Sequence, residues 1–441
     1  MTETTKDSEL SAAQPTAPAE AGRSGRNTVV LVGFTAITNL ADGVLKVALP
    51  LIATTLTKSP ALVSGVLMTL MLPWLFTALH VGVLVDRADR RALLWIANIA
   101  RVVVVGILLT AAAMDASNLP MLYVGGLILG VAEVIALTSA AALIPTAVAP
   151  PGRDRANSWL TGAETVCNEF IGPFIGGILV AVGAAFALGA TVAGYALTTV
   201  TLVFLVGHFR AARVEADAPR ATIHAQIGEG LRFLWKQRLL RVMTLLVSVL
   251  CSLWGAWLAL MPLYATQEMG LSVKNYGLLV GALGAGGLVG ALIVSTSNRL
   301  FGRRRVMFAN IFLTSAMVAI PAVSTDVWAA GFGAFLGGLG GGLWVVNSRT
   351  VSQTLVSMDM MGRYSAVSRL FGWGSVPLGA GLAGLLAEWF GAQIAFAVFA
   401  LAALTVIVPF MRDFSPKVAA QTEAKIAAGA APPATDAVPQ S

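Results

Sequence analysis

The sequence predicts an all-α integral membrane fold: twelve transmembrane helices arranged as two six-helix bundles related as parallel repeats. Three observations predict it. The chain is 57% hydrophobic and only 12% charged, against roughly 45–50% and about 25% in soluble domains, so no soluble fold could hide its apolar surface. Apolar stretches of about 20 residues or more, long enough to cross a hydrocarbon core of about 30 Å, recur along almost its whole length. Finally, a pattern in the first half returns in the second.

The first-half spans fall at 28–54, 60–84, 92–113, 120–147, 156–182 and 185–207; those of the second half fall at 240–266, 274–298, 304–324, 327–350, 363–389 and 392–412. Residues 1–27, rich in Ser, Thr, Ala, Pro and Glu with no apolar core, read as a disordered cytoplasmic tail rather than a cleavable signal peptide. Residues 413–441 read the same way. The domains expected are therefore 28–207, a linker at 208–239, and 240–412. Within the linker, IGEGLRFLWKQRLLR sets Ile227, Leu231 and Leu234 against Arg232, Lys236 and Arg238, the spacing of an amphipathic helix lying at the cytoplasmic interface.

Orientation follows from charge. The net charge of +7 does not mark a nucleic-acid binder, because the basic residues sit in short runs between apolar spans. With both termini cytoplasmic, almost all of the 29 Lys and Arg fall on the inner side, among them Arg153, Arg155, Arg299 and Arg303 to Arg305, and the outer loops keep only Lys58 and Lys274. That asymmetry is what the positive-inside rule requires, and it places the chain in the inner (plasma) membrane.

The repeat supports two halves. Asp86, Arg87 and Arg91 followed by Ala97, Asn98 and Ile99 match Asn298, Arg299 and Arg303 followed by Ala309, Asn310 and Ile311 at one constant offset, and Arg155 before the fifth span matches Arg363 before the eleventh. Each echo comes six helices later. An even number of crossings preserves direction, so the halves are parallel repeats, with substrate expected between them near the midplane.

With these residues in place, the chain from about Asn27 to Arg412 resembles the major facilitator superfamily. Its signature G-x-x-x-D-R-x-x-R-R, between the second and third spans, is present as Gly82, Asp86, Arg87, Arg90 and Arg91. The resemblance implies a conformational latch to the other half, for which Arg369 near the inner end of the eleventh span is the candidate partner. The exporter-associated G-P-x-x-G-G of the fifth span is matched by Gly172, Pro173, Gly176 and Gly177, although glycine is usual upstream where this chain has Asn168 and Trp159. In the fourth span, Glu133 stands where many drug exporters carry an arginine. LADGVLKVALPL, GEGLRFLW and LGAGLAGLLAEWFG look most like the branch of macrolide-efflux and siderophore-export proteins. The implied function is secondary active export of small amphipathic molecules, a drug, secondary metabolite or siderophore, in exchange for protons and by a monomer. Proton-linked uptake and a non-transporting membrane sensor or scaffold are the alternatives.

Ionisable residues in hydrocarbon cost about 2.5–3.5 kcal/mol each on insertion scales, which makes them functional candidates. Asp42 and Lys46 in the first span, Arg101 in the third, Glu133 in the fourth and Glu164 and Glu169 in the fifth lie near mid-depth, all in the first half. Asp42 and Lys46, four apart, are expected to neutralise one another, and Arg101 to take a carboxylate from a neighbouring helix. Two carboxylates then remain to load and release a proton, Asp42 and Glu133 ranking first. The second half contributes aromatic surface through Trp254, Trp257, Tyr264, Phe371 and Trp373, which with the acids would suit a lipophilic cation. His80 and Asn347 read as structural.

No enzyme is expected. G-x-x-x-x-G-K-[ST] and H-E-x-x-H are both missing. The glycine-rich GALGAGGLVG and GAFLGGLGGGLW lie inside apolar spans, where small residues let helices approach closely. Cys167 and Cys251, both within spans, suggest neither a disulfide nor a metal site; no cofactor is expected.

Overall fold

The computed structural model describes residues 17–206 and 223–430, and the regular structure among them is helical. Among the described residues, eleven helices are long and apolar enough to cross a membrane, and Pro60–Phe76, a shorter apolar helix, is continued by Ala78–Arg87 to make the twelfth span. Several spans begin on a side-chain cap: Ser59, Asp89, Asn118, Ser272 and Asp326 each accept a backbone N–H of the first turn that has no partner inside its own helix. The one-residue turns at Gly302 (φ 79°) and Gly391 (φ 89°) use the left-handed backbone that glycine adopts without strain, which lets spans eight and nine, and eleven and twelve, reverse direction at once.

Three expected spans are interrupted. Span two breaks at Thr77, whose N–H and hydroxyl both donate to Pro73 O at 2.7 Å; the hydroxyl competes with the helical ladder just beyond a proline. Span five runs as Arg153–Thr165, a π-helical turn at Val166–Ile171, and Gly172–Val182. Pro173 has no N–H for the Glu169 carbonyl, and the Gly172 N–H reaches back five residues to Cys167 O. Span twelve is divided into Ala392–Leu404 and Ile407–Asp413.

The tails are less bare than composition suggests. Helix one already begins at Ala17, and Pro416–Ala430 forms a further helix docked on the second half, with Arg303 Nε to Glu423 at 2.9 Å, Arg304 donating to the Phe414 carbonyl, and Thr422 buried. An alanine-rich stretch with proline in its first turn has good helix propensity, and the ion pair gives it an anchor. The linker helix, expected within 208–239, occupies Ile223–Lys236, while 207–222 lie outside the described residues. It rests on span eleven: Leu234 packs with Tyr364 and Val367, and Glu229 pairs with Arg363 at 2.9 Å.

Between the halves, span two packs along span eleven (Met358–Phe390) and span five along span eight (Val273–Phe301). Exchanging the halves converts one pair into the other, so the parallel repeat read from the arginines is also a repeat of contacts. The loops define two ends, one rich in arginine and one poor. At the arginine-poor end the halves touch. Gly177 meets Gly277 backbone to backbone, Ser64 lies against Gly384, and Glu388 Oε2 accepts the Ser59 hydroxyl at 2.6 Å and the Ala61 N–H at 3.2 Å.

Candidate functional site: a buried charge cluster at the seam

Span one (Ala17–Leu56) presents Asn39, Asp42 and Lys46 at helical spacing on one face, and all three are buried. The expected pairing of Asp42 with Lys46 is not what forms. Asp42 Oδ2 takes Arg101 Nη2 at 3.1 Å, and Oδ1 accepts the Tyr195 hydroxyl at 2.5 Å. Arg101 is fully buried over the Tyr195 ring, 5.1 Å from its centroid, and also donates to Asn98 Oδ1 at 3.4 Å; Asn98 in turn donates to Thr198 at 3.0 Å. Four apart along one helix only places side chains as neighbours. A planar guanidinium and a phenol brought in by spans three and six offer Asp42 better-aligned donors than a lysine one turn away.

Lys46 turns to the other side. Its Nζ lies 2.6 Å from Asn168 Oδ1, 3.5 Å from Glu169 Oε1 and 3.9 Å from Glu133 Oε1. The Asn168 amide donates to Glu133 Oε1 at 3.1 Å and to Asn39 Oδ1 at 2.9 Å. Above Lys46 sits the Trp373 ring from the other half, its centroid 4.9 Å from Nζ, and Trp373 stacks on Trp74 of span two at 5.9 Å. The Asp42 and Lys46 groups together bring three carboxylates (Asp42, Glu133, Glu169) against two cations (Lys46, Arg101). One carboxylate is in excess when all are ionised, and in a low dielectric such an excess is costly unless a proton or another cation neutralises it.

Glu164, nearer the arginine-rich end, belongs to neither group. It pairs with Arg369 of the second half at 3.5 Å, both groups partly exposed. The latch expected from the signature loop is therefore divided. Asp86 and Arg87 lie outside the described side chains, and the described ion pair of Arg369 is with Glu164. Gly82 lies on the Ala78–Arg87 helix, which packs on span four; Arg90 donates to Ala142 O at 2.9 Å and Arg91 to Val203 O at 3.5 Å, both within the first half.

The glycines of span five serve two different neighbours. A Cβ on Gly172 would meet Gly43 Cα at 2.8 Å and one on Gly176 would meet Val44 Cα at 2.9 Å, both on span one, while one on Gly177 would meet Gly277 Cα at 2.7 Å on span eight. With Pro173 and the π turn, the motif lets span five approach its own half on one face and the other half on the next.

Of the aromatics expected to line a cavity, Trp373 stands at the cluster. Trp254 is half-buried against Gly341, and Trp257 is fully buried in the apolar core. The correction for Trp257 has a simple reason: Leu253, Trp257, Leu260 and Tyr264 recur at helical spacing and are all buried, so they form the core face of span seven. Asn347 exchanges amide hydrogen bonds with Asn298 at 2.8 and 3.2 Å, and His80 is exposed beside Phe76 O.

Sequence reasoning missed Asn39, Trp74 and Tyr195 altogether. It noted Asn168 only as a departure from a motif and Asn98 only as part of a repeat. Carboxamides inside apolar spans were the available signal, since each needs partners in hydrocarbon.

A fold of this kind, with its charges sequestered at the seam of two repeats, is that of a secondary transporter. The family description "Transmembrane secretion effector" (MFS_3) matches residues 28–436, and the chain belongs to this family of the major facilitator superfamily. It is similar to the multidrug efflux pump Tap of Mycolicibacterium fortuitum, 27% identical over 403 residues that cover 88% of this chain and 97% of that protein. Tap of Mycobacterium tuberculosis (strain ATCC 25618 / H37Rv) is 27% identical over 392 residues, covering 86% and 91%. In fold it resembles a bacterial homologue of the iron transporter ferroportin in an inward-facing state (TM-score 0.66, 15% identity, 88% and 99% coverage) and the nucleoside transporter NupG (TM-score 0.62, 14% identity, 88% and 99% coverage). The protein is a multi-pass membrane transporter, not an enzyme.

Proposed function

We propose that the protein exports small amphipathic molecules by alternating access in exchange for protons, as a monomer in the inner membrane with both termini cytoplasmic. The observation that carries this is the excess carboxylate around Lys46, buried at the seam and touched by Trp373 of the opposite half. A site of this kind is neutral when one proton is bound and carries one negative charge when it is not, so it can alternate between a proton and a cationic or polar substrate group. Because Asp42 is held by Arg101 and Tyr195, we assign the exchanged proton to the Glu133 and Glu169 pair and a structural role to Asp42.

Three further facts support the reading. The relatives above are named as multidrug efflux pumps. With the arginine-rich end cytoplasmic, the contacts of Gly177 with Gly277 and of Glu388 with Ser59 hold the halves together at the outer end. The contacts of Glu164 with Arg369 and of Trp74 with Trp373 join the two halves and have to part when the halves rock against each other.

The test is transport in proteoliposomes under an imposed pH gradient with ethidium, a tetracycline and a macrolide, while internal pH is recorded. Export of at least one compound with opposite proton movement is expected, and it should collapse in Glu133→Gln or Glu169→Gln. Full coupling in both variants, or no proton movement in the unaltered protein, refutes the proton exchange.

A further inference from the structure

The group nearest to Lys46 is not an acid. Its Nζ is 2.6 Å from Asn168 Oδ1, whereas the carboxylates of Glu169 and Glu133 stand off at 3.5 and 3.9 Å. An ammonium and a carboxylate free to meet close to about 2.7–2.9 Å, so both acids are held back from the lysine. The holding group is the Asn168 amide itself. Its oxygen occupies the Lys46 ammonium, while its nitrogen donates to Glu133 Oε1 at 3.1 Å and to Asn39 Oδ1 at 2.9 Å, and Asn168 is buried. The π turn Val166–Ile171 makes this geometry available. Successive residues of an α-helix diverge by about 100°, and the wider turn lets the adjacent Asn168 and Glu169 both reach Lys46. The remaining groups around the lysine are Trp373 from span eleven and, one turn away on its own span, Asp42, which Arg101 and Tyr195 already engage.

We propose that Asn168 is a positioning residue for coupling: it keeps Lys46 midway between Glu133 and Glu169 so that neither carboxylate is permanently paired with it. This rests on the proton-exchange reading above. When Lys46 leans toward one of the two acids, the acid it leaves takes a proton from water and becomes a neutral carboxylic acid; when Lys46 returns, that proton goes back to water. The cluster gains and loses one positive charge in the process, which substrate binding must balance. In this chain, which carries Lys46, a glycine at 168 would leave nothing to keep the lysine off one carboxylate. A tight pair would then remain ionised throughout the cycle, and substrate would cross without its proton.

The experiment compares Asn168→Leu, which keeps the shape and removes both polar ends, with Asn168→Gly. Each is reconstituted, and protons moved per molecule are measured for whichever of ethidium, the tetracycline and the macrolide the unaltered protein moves fastest, beside downhill counterflow of the same compound. We expect the proton-to-substrate ratio to fall severalfold while counterflow persists. If leucine strands its buried partners and prevents folding, the glycine variant supplies the answer. An unchanged ratio, with both fluxes reduced in parallel, would mean that Asn168 only holds helices together and overturns the proposal. No substrate-evoked proton movement in the unaltered protein would instead remove the exchange reading, and this proposal with it.

Discussion

Replacing Gly177 with alanine measures how much the contact at the arginine-poor end biases the transporter. A methyl group there would lie 2.7 Å from Gly277 Cα and 2.9 Å from the Gly277 carbonyl oxygen, and one on Gly277 would lie 2.6 Å from the Gly177 oxygen. Carbon atoms rest comfortably at about 3.5–4.0 Å. Because the obstacles are backbone, no rotamer change relieves them, and spans five and eight must separate. Overpacking of this kind costs about 1–3 kcal/mol, but only in the arrangement in which the halves touch here. A bias of that size changes the ratio of closed to open forms about 5- to 150-fold. Gly176→Ala is the matched control: its methyl would lie 2.9 Å from Val44 Cα, within the first half, so the cost falls on both arrangements alike. The assay is maleimide labelling of a cysteine at Met68, on span two against Gly381 of span eleven, with Cys167 and Cys251 replaced by serine. Gly177→Ala should accelerate labelling from the arginine-poor end; Gly176→Ala should lower the melting temperature and leave labelling nearly unchanged. Equal labelling in the two variants would refute the reasoning.

Other outcomes follow from the same contacts. Glu388→Gln weakens the charge-assisted cap on Ser59 and Ala61 and should speed the same labelling a few-fold, less so at high salt; salt-independent, unchanged labelling would count against a gate there. Arg101→Leu strands Asp42 and should cost about 3–5 kcal/mol, seen as lost yield and a lower melting temperature, while adding Asp42→Asn should recover part of the loss; strictly additive losses would show that the pair is not coupled. Trp373→Ala removes a stack worth about 0.5–1.5 kcal/mol, so the protein should fold but bind ethidium more weakly; an unchanged KM would place the ring away from the substrate path.

Much of the architecture was legible because the bilayer acts one residue at a time. Each apolar side chain favours hydrocarbon and each arginine favours one side of it, so hydropathy and charge along the chain were enough to find the spans and the repeat. The same local physics located Asp42, Lys46, Arg101, Glu133, Glu164 and Glu169 as charges in the wrong solvent, and Pro173 as a weak point in span five.

Partner choice was not local. Helical spacing put Asp42 beside Lys46, yet Asp42 joins Arg101 and Tyr195, and Lys46 joins Asn168, Glu169 and Glu133. Which of two possible partners a buried charge takes depends on which helices pack against that face and how well their donors align. That information is spread over residues as far apart as Lys46 and Trp373. The sequence by itself determined where the apolar spans lie along the chain and which charges fall within them. Only the tertiary structure decided the pairing, because a buried charge is stabilised by hydrogen-bond geometry within about 3 Å, and no pattern along one helix sets a distance to another.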